Sequence, residues 1–426
     1  MTLLVFVVAL LVTIAMGIPI AYALLLSGLV LMYYMGMLEP MIVAQNVIHG
    51  ADSFPLMAVP FFMLAGEIMN AGGLARRIIN FAMALVGHVR GGLGYVTILA
   101  SCLLASVSGS AIADAAALGA LLIPMMVQAG HNKERAAGLV AAGGIIAPVI
   151  PPSIGLVIFG VAANVSISRL FMAGIVPGLL LGVGLCFAWY IVSRREEAAR
   201  TPRRSRAEVW VAFKEGIWAL ILPFIIVFGL RFGIFTPTEA GVVVAVYALF
   251  VSVVIYREMK LPDISRVFVN AAITTSIVMF MMAAALVSSW LITVSQIATQ
   301  VVELSQPFLD SPILLMIVLM LIILIVGMVL DMIPTILIFT PILMPIVREA
   351  GIDPVYFGVM FIINVSIGLI TPPVGSVLNV VCGVAKLKMQ DLLRGVAPFW
   401  VAHVLVLLLL SLFPMLVIAP ARWLSG

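Results

Sequence analysis

Apolar residues in this chain come in long unbroken stretches, and that pattern ties it to a membrane. Residues 313–330 and 401–418 are two such stretches. At 1.5 Å per residue each is long enough, as a helix, to cross a hydrocarbon core of about 30 Å. Barrel strands would instead need alternating segments of about ten residues, a pattern the sequence lacks. With 64% apolar and only 9% charged residues, there is too little polar surface to cover a soluble globule. The chain therefore reads as an all-α polytopic membrane protein embedded in a lipid bilayer. The first apolar run passes through Gly17 and Pro19 to about Met35 without a basic leader or a small-residue cleavage site, so it reads as a mature helix and not a signal peptide.

Charge is concentrated. Arg194, Arg195, Arg200, Arg203, Arg204, Arg206 and Lys214 crowd one short loop. Lys and Arg gather in short cytoplasmic loops and set orientation, so residues 194–215 are placed inside and no nucleic-acid partner is expected. A second basic stretch, residues 257–266, follows spans at about 216–232 and 236–256, and two crossings return it to the same side. Arg76, Arg77 and Arg90 flank residues 78–86, and basic residues 260–266 precede another such stretch, which suggests two amphipathic helices along the interface. Arg169, Lys386, Lys388 and Arg394 read as helix-end anchors. Cys102, Cys186 and Cys382 sit in apolar segments without redox or metal spacing and read as packing residues. His49, His88, His131 and His403 are scattered and read as surface or snorkelling side chains.

The chain also repeats itself. Shifted by 221 positions, Pro124 meets Pro345, Gly130 meets Gly351, Pro151 meets Pro372, Pro152 meets Pro373, Gly174 meets Gly395 and Pro177 meets Pro398. These are the residues whose backbone behaviour is most special, so the coincidence points to two related halves. A third span at about 271–292 makes three crossings between the basic loop and the second Pro-Pro pair. An odd number sets the two halves in opposite orientations, an inverted repeat.

Each half holds two interruptions. The first half has Ser106-Val107-Ser108-Gly109-Ser110, followed by Asp114, and then Ala147-Pro148-Val149-Ile150-Pro151-Pro152-Ser153. The second has Gly327-Met328-Val329-Leu330-Asp331-Met332-Ile333-Pro334 and Gly368-Leu369-Ile370-Thr371-Pro372-Pro373-Val374-Gly375-Ser376. A Pro-Pro pair removes backbone donors and clashes with the preceding turn, so the helix must unwind. Such backbone is tolerated only inside protein or against a watered cavity. There, free carbonyls can ligate Na⁺, while exposed N–H groups at the next half-helix favour a carboxylate. Asp114 and Asp331 are carboxyls within spans. Each must face a cavity or a partner, and a hairpin-tip role as a cap or as part of the site wall suits them better than direct contact with an anion.

These motifs resemble the large membrane subunit of tripartite ATP-independent periplasmic (TRAP) transporters, the DctM-like proteins. The carriers are Ala105 to Ser110 (ASVSGS), Ala115-Ala116-Ala117-Leu118-Gly119, Ile123-Pro124, Ile150-Pro151-Pro152-Ser153, Thr236-Pro237-Thr238-Glu239-Ala240, Gly327 with Asp331 and Pro334, Thr340-Pro341, and Thr371-Pro372-Pro373-Val374-Gly375. Together they run through nearly the whole chain.

The resemblance implies an inverted-repeat, elevator-type transporter of the bacterial inner membrane, with two re-entrant helical hairpins and two Pro-broken transmembrane helices. It implies Na⁺-coupled uptake of an organic acid, a carboxylate such as a C4-dicarboxylate, sialic acid or another sugar or keto acid, handed over by a periplasmic substrate-binding protein. It also implies a small membrane subunit, here a separate polypeptide because no fused extension is present. Matched residue by residue, Ser106, Ser108, Gly109, Ala147, Ile150 and Pro152 would bound one Na⁺ site, and Gly327, Gly368, Thr371 and Val374 a second. Substrate would lie near Ser110, Asp114, Ser153, Asp331, Pro334 and Ser376. The scaffold would comprise residues 1–90 and 216–305, and the moving part 91–193 and 306–418. A stand-alone Na⁺/anion symporter is the alternative within transport, and an aspartyl protease and a pore are the alternatives outside it.

Overall fold

The computed structural model describes residues 1–194, 196, 202–309 and 311–425. Arg195 and Arg200 of the basic loop lie outside the described residues. Among the described residues all regular structure is helical, and eight helices are long and apolar enough to cross a membrane.

Helix boundaries follow the expected punctuation. Gly92–Ser108 and Ala111–Gln128 form the first hairpin, turned by Gly109 in the left-handed region (φ 60°). Ser110 caps the second of these helices by accepting from Ala113 N, and Asp331 caps the matching Met332–Glu349 by accepting from Met332 N at 2.9 Å. The second hairpin is Pro312–Gly327 with Met332–Glu349. Two helices are interrupted: Lys133–Gly144 resumes as Ile154–Ala163, and Pro354–Gly368 resumes as Ser376–Ala385. Ala111 and Met332, and Lys133 and Pro354, open equivalent helices 221 positions apart. Gly130 and Gly351 both take positive φ in the turn after a hairpin, which explains one coincidence of the repeat.

Packing sorts the helices into two groups. In one, Ala58–Ala71 lies against Pro237–Phe250, and Leu261–Val294 lies against Ile20–Tyr34, Pro40–Ala51 and Ala58–Ala71. In the other, Ala111–Gln128 packs on Lys133–Gly144 and Ser376–Ala385, Met332–Glu349 on Ile154–Ala163, and Lys133–Gly144 on Met389–Leu412. The two sequence halves therefore interlock around both interrupted helices.

Three expectations need correction. Residues 260–266 do not begin a separate interfacial helix. They lead into the continuous Leu261–Val294, 34 residues long, because neither Gly nor Pro occurs between Asp263 and Val294 to stop it. The second-half counterpart of the short helix Leu74–Val86 is instead Ile297–Leu309. His131 and His403 are buried, not surface residues. The cysteines are unpaired and packed against the core, as expected.

His131 explains how the end of helix Ile167–Ser193 is held. Its Nδ1 donates to Glu196 at 2.7 Å, Arg135 donates to the other carboxylate oxygen at 3.0 Å, and its ring lies 5.3 Å from that of Trp189. Burial works to raise the Glu196 carboxyl, but the hydrogen bonds and charges of His131 and Arg135 outweigh it and hold the group below its ordinary value. A carboxyl depressed in the fold contributes stability above its unfolded pKa and loses it as pH falls through the folded one. Glu196→Gln is therefore expected to lower unfolding free energy by about 1 kcal/mol at pH 7, water around Arg135 screening part of the pair. The gap should close as pH falls through the depressed pKa of the carboxyl, and thermal unfolding of purified protein at pH 7 and in acid measures it.

Candidate transport site

The first interruption sets oxygen atoms free inside the protein. Pro148, Pro151 and Pro152 lack N–H groups, and the chain beyond Gly144 loses the regular helical ladder: Ile146 N donates to Gly143 O and Ala147 N to Gly144 O, both at 3.1 Å. Ser153 caps the resumed helix by accepting from Leu156 N at 3.1 Å, and its own hydroxyl donates to Pro148 O. Among the described residues the carbonyls of Ala147 and Ile150 accept no hydrogen bond, although both residues are buried. Uncharged oxygens of this kind suit a hard monovalent cation. In the second interruption Thr371 N donates to Gly368 O at 2.9 Å. The Thr371 hydroxyl donates to Ile367 O at 2.6 Å and accepts from Trp400 Nε1 at 2.8 Å. One lone pair on that oxygen is then still free.

Each hairpin tip abuts the interruption of its own half. A Cβ on Gly109 would lie 2.6 Å from Pro152 O. Gly327 and Gly368 meet backbone to backbone, and Val374 N donates to Met328 O at 3.2 Å. Gly109 is thus brought against Pro152, Gly327 against Gly368, and the second tip against Val374. Ser106 lies on the same helix end, its hydroxyl turned back to Leu103 O at 2.6 Å.

Between the tips is a cavity of about 220 Å³, lined by Ser108, Gly109, Ser110, Asp331, Ile333 and Leu369 among others. Ser110 and Asp331 line it. Asp114, Ser153, Pro334 and Ser376 are not on its wall. Ser153 is fully buried within its own interruption. Asp114 is also buried and accepts from the Ser108 hydroxyl at 2.5 Å, so it holds the tip from behind. Both hairpins point a helix N-terminus at the cavity. Among the described residues the N–H groups of Ala111, Ile112 and Ile333 have no hydrogen-bond partner. Orphan donors at the positive end of a helix make a ready anion site.

The opposite wall comes from the other packing group: Gly66, Glu67 and Asn70 of Ala58–Ala71, and Ala271, Thr274 and Val278 of Leu261–Val294. The motif reading missed these residues. Glu67 carries a signal of its own, as the one acidic residue in the apolar helix Phe54–Ala71.

Comparison with known proteins bears on what such a site serves. Residues 7–416 match the family described as Tripartite ATP-independent periplasmic transporter, DctM component. The chain belongs to the DctM family. It is 56% identical over 425 residues to the 2,3-diketo-L-gulonate TRAP transporter large permease protein YiaN of Escherichia coli, with 100% of both chains covered. It is 38% identical over 398 residues to the sialic acid TRAP transporter large permease protein SiaM of Vibrio cholerae, covering 93% of each. The YdaH transporter of Alcanivorax borkumensis, described as having an unusual topology, matches with a TM-score of 0.61 over 87% of this chain and 86% of that one. At 13% identity that likeness concerns the fold alone. A DctM protein is a multi-pass membrane permease and not an enzyme, which disposes of the protease alternative. Asp114 and Asp331 are each hydrogen-bonded within their own hairpin.

Proposed function

We propose that this DctM protein is the bacterial inner-membrane permease for Na⁺-coupled uptake of an organic acid delivered by a periplasmic substrate-binding protein, working with a separate small membrane subunit. The carrying observation is the cavity between the two hairpin tips, where unpartnered N–H groups of two helix ends converge. A carboxylate fits that electrostatic setting. Among such acids, the relatives' names put 2,3-diketo-L-gulonate and sialic acid, both sugar acids, first to be tried.

The hairpin helices support a re-entrant reading. Gly92–Ser108 has 17 residues and Pro312–Gly327 has 16, about 24–26 Å of helix, which is short of a full crossing of about 30 Å. Both then turn back at a polar tip. With three spans between the basic loop and the second hairpin, the halves lie inverted in the membrane.

In this reading residues 1–90 and 216–305 stay fixed while residues 91–193 and 306–418 move as one body. The cavity lies on the boundary, where Gly66 packs close to Ser108, a Cβ added to it lying 3.6 Å from Ser108 Cα and O, a small side that a moving tip can pass. Ser106, Ser108, Gly109, Ala147, Ile150 and Pro152 would hold one Na⁺, and Gly327, Gly368, Thr371 and Val374 the other. Bound Na⁺ would supply positive charge that offsets an incoming carboxylate. The free carbonyls of Ala147 and Ile150 support this assignment.

The test is uptake by the three-component system reconstituted in liposomes, screened over a panel of organic acids with and without a Na⁺ gradient. Strong uptake by this chain alone would favour the stand-alone symporter. Ser108→Leu and Thr371→Leu are expected to raise the Na⁺ concentration for half-maximal uptake about tenfold or more, with a smaller effect on folded yield. Unchanged Na⁺ activation in both variants would remove the ion-site assignment.

A further inference from the structure

One helix reaches both interruptions. On Met389–Leu412, Trp400 Nε1 donates to Thr371 Oγ1 at 2.8 Å, in the interruption of its own half. Three residues on, and so on the same face of the helix, the fully buried His403 meets Ala142 O of the other half at 3.0 Å. A carbonyl can only accept, so His403 Nε2 carries the proton.

Ala142 is not an arbitrary partner. In an unbroken helix its carbonyl would receive the N–H of Ile146, but Ile146 N donates to Gly143 O instead. The interruption releases that acceptor, and His403 takes it. His403 Nδ1 has no partner among the described residues, so the contact with Ala142 is the bond that engages the ring. The positions that match by the 221-residue shift are Leu179 and Gly182, whose side chains cannot donate. The first half therefore has no equivalent, and the connection is made once, from the second half to both.

We propose that Trp400 and His403 are positioning residues that fasten the two interruptions to one helix, so that the two Na⁺ sites load cooperatively. This rests on the Na⁺ reading above. An ion that orders one interruption fixes Met389–Leu412, and the same helix then presents the other interruption already ordered, which lowers the cost of the second ion.

The experiment is the Na⁺ dependence of initial uptake by the reconstituted complex for the wild type, Trp400→Phe, His403→Leu and His403→Gln, with folded yield checked by size exclusion. Trp400→Phe and His403→Leu are each expected to raise half-saturating Na⁺ about five- to tenfold and to bring the Hill coefficient close to one. Substrate half-saturation at high Na⁺ should stay near wild type. His403→Gln, whose amide can donate to Ala142 O, should recover most of the cooperativity. Variants that lose only folded protein or maximal rate, with the Na⁺ curve unmoved, overturn the proposal. So does a wild-type Hill coefficient of one with uptake still dependent on Na⁺, an outcome that leaves the Na⁺ reading standing. Wild-type uptake indifferent to Na⁺ overturns both.

Discussion

Gly368→Ala is expected to cut Na⁺-driven uptake by more than tenfold. The added Cβ would fall 2.6 Å from both the carbonyl carbon and oxygen of Gly327 and 2.9 Å from its Cα. All three are backbone atoms, so no side-chain rotation relieves the clash, and the second hairpin must move off the interruption it abuts. Overpacking of this kind costs about 1–3 kcal/mol. The movement also strains the bond from Val374 N to Met328 O, which joins the same two elements. Half the residues assigned to the second Na⁺ site, Gly327 and Gly368, sit at that junction, so the loss should fall on ion affinity as well as on rate. Gly383→Ala is the control. A Cβ there has nothing within 4 Å, and alanine within a helix is neutral or mildly stabilising, by up to about 1 kcal/mol. Uptake assays and thermal unfolding of both variants give the answer. Wild-type transport by Gly368→Ala would show that close approach of tip and interruption is dispensable.

The parts of this fold that were legible in the sequence are those imposed by local backbone chemistry. Pro151-Pro152 and Pro372-Pro373 had to break helices because their donors are missing, and both pairs do lie in breaks, between Gly144 and Ile154 and between Gly368 and Ser376. Asp331 caps its helix because a carboxyl at that position can accept from the first turn. What stayed hidden depends on distant partners. His403 is buried because its bond goes to a residue 261 positions away, and no local pattern announces that. Glu67, Asn70 and Thr274 form a wall only when the two packing groups come together. The misplaced interfacial helix had another cause. Basic residues before an apolar run look alike whether the helix lies on the membrane or enters it, and the continuity of Leu261–Val294 follows only from the lack of a breaker.

Asp114→Ala should be nearly as damaging as Gly368→Ala, and comparison with Asp114→Asn shows why the carboxyl is there. Ser110 N donates to Ser108 Oγ at 3.2 Å, and the Ser108 hydroxyl donates to Asp114 at 2.5 Å. These two bonds close the turn around Gly109. Alanine leaves the buried Ser108 hydroxyl without its acceptor, at a cost of about 1–3 kcal/mol. The tip then loses its position against both Pro152 and the facing Gly66. Uptake is expected to fall more than tenfold. Asparagine keeps an acceptor for Ser108, so thermal stability should return close to wild type. The other carboxyl oxygen, Oδ2, is buried with no partner among the described residues, and an unsatisfied buried oxygen in a native site calls for an explanation. The cation proposed at the first tip would provide one, because a carboxyl that ionises beside it would lower the cost of keeping it there. Asp114→Asn should therefore raise half-saturating Na⁺ about tenfold while folding is preserved. An asparagine variant with the wild-type Na⁺ curve would reduce Asp114 to a peg for Ser108, and the ion at that tip would then rest on neutral oxygens alone.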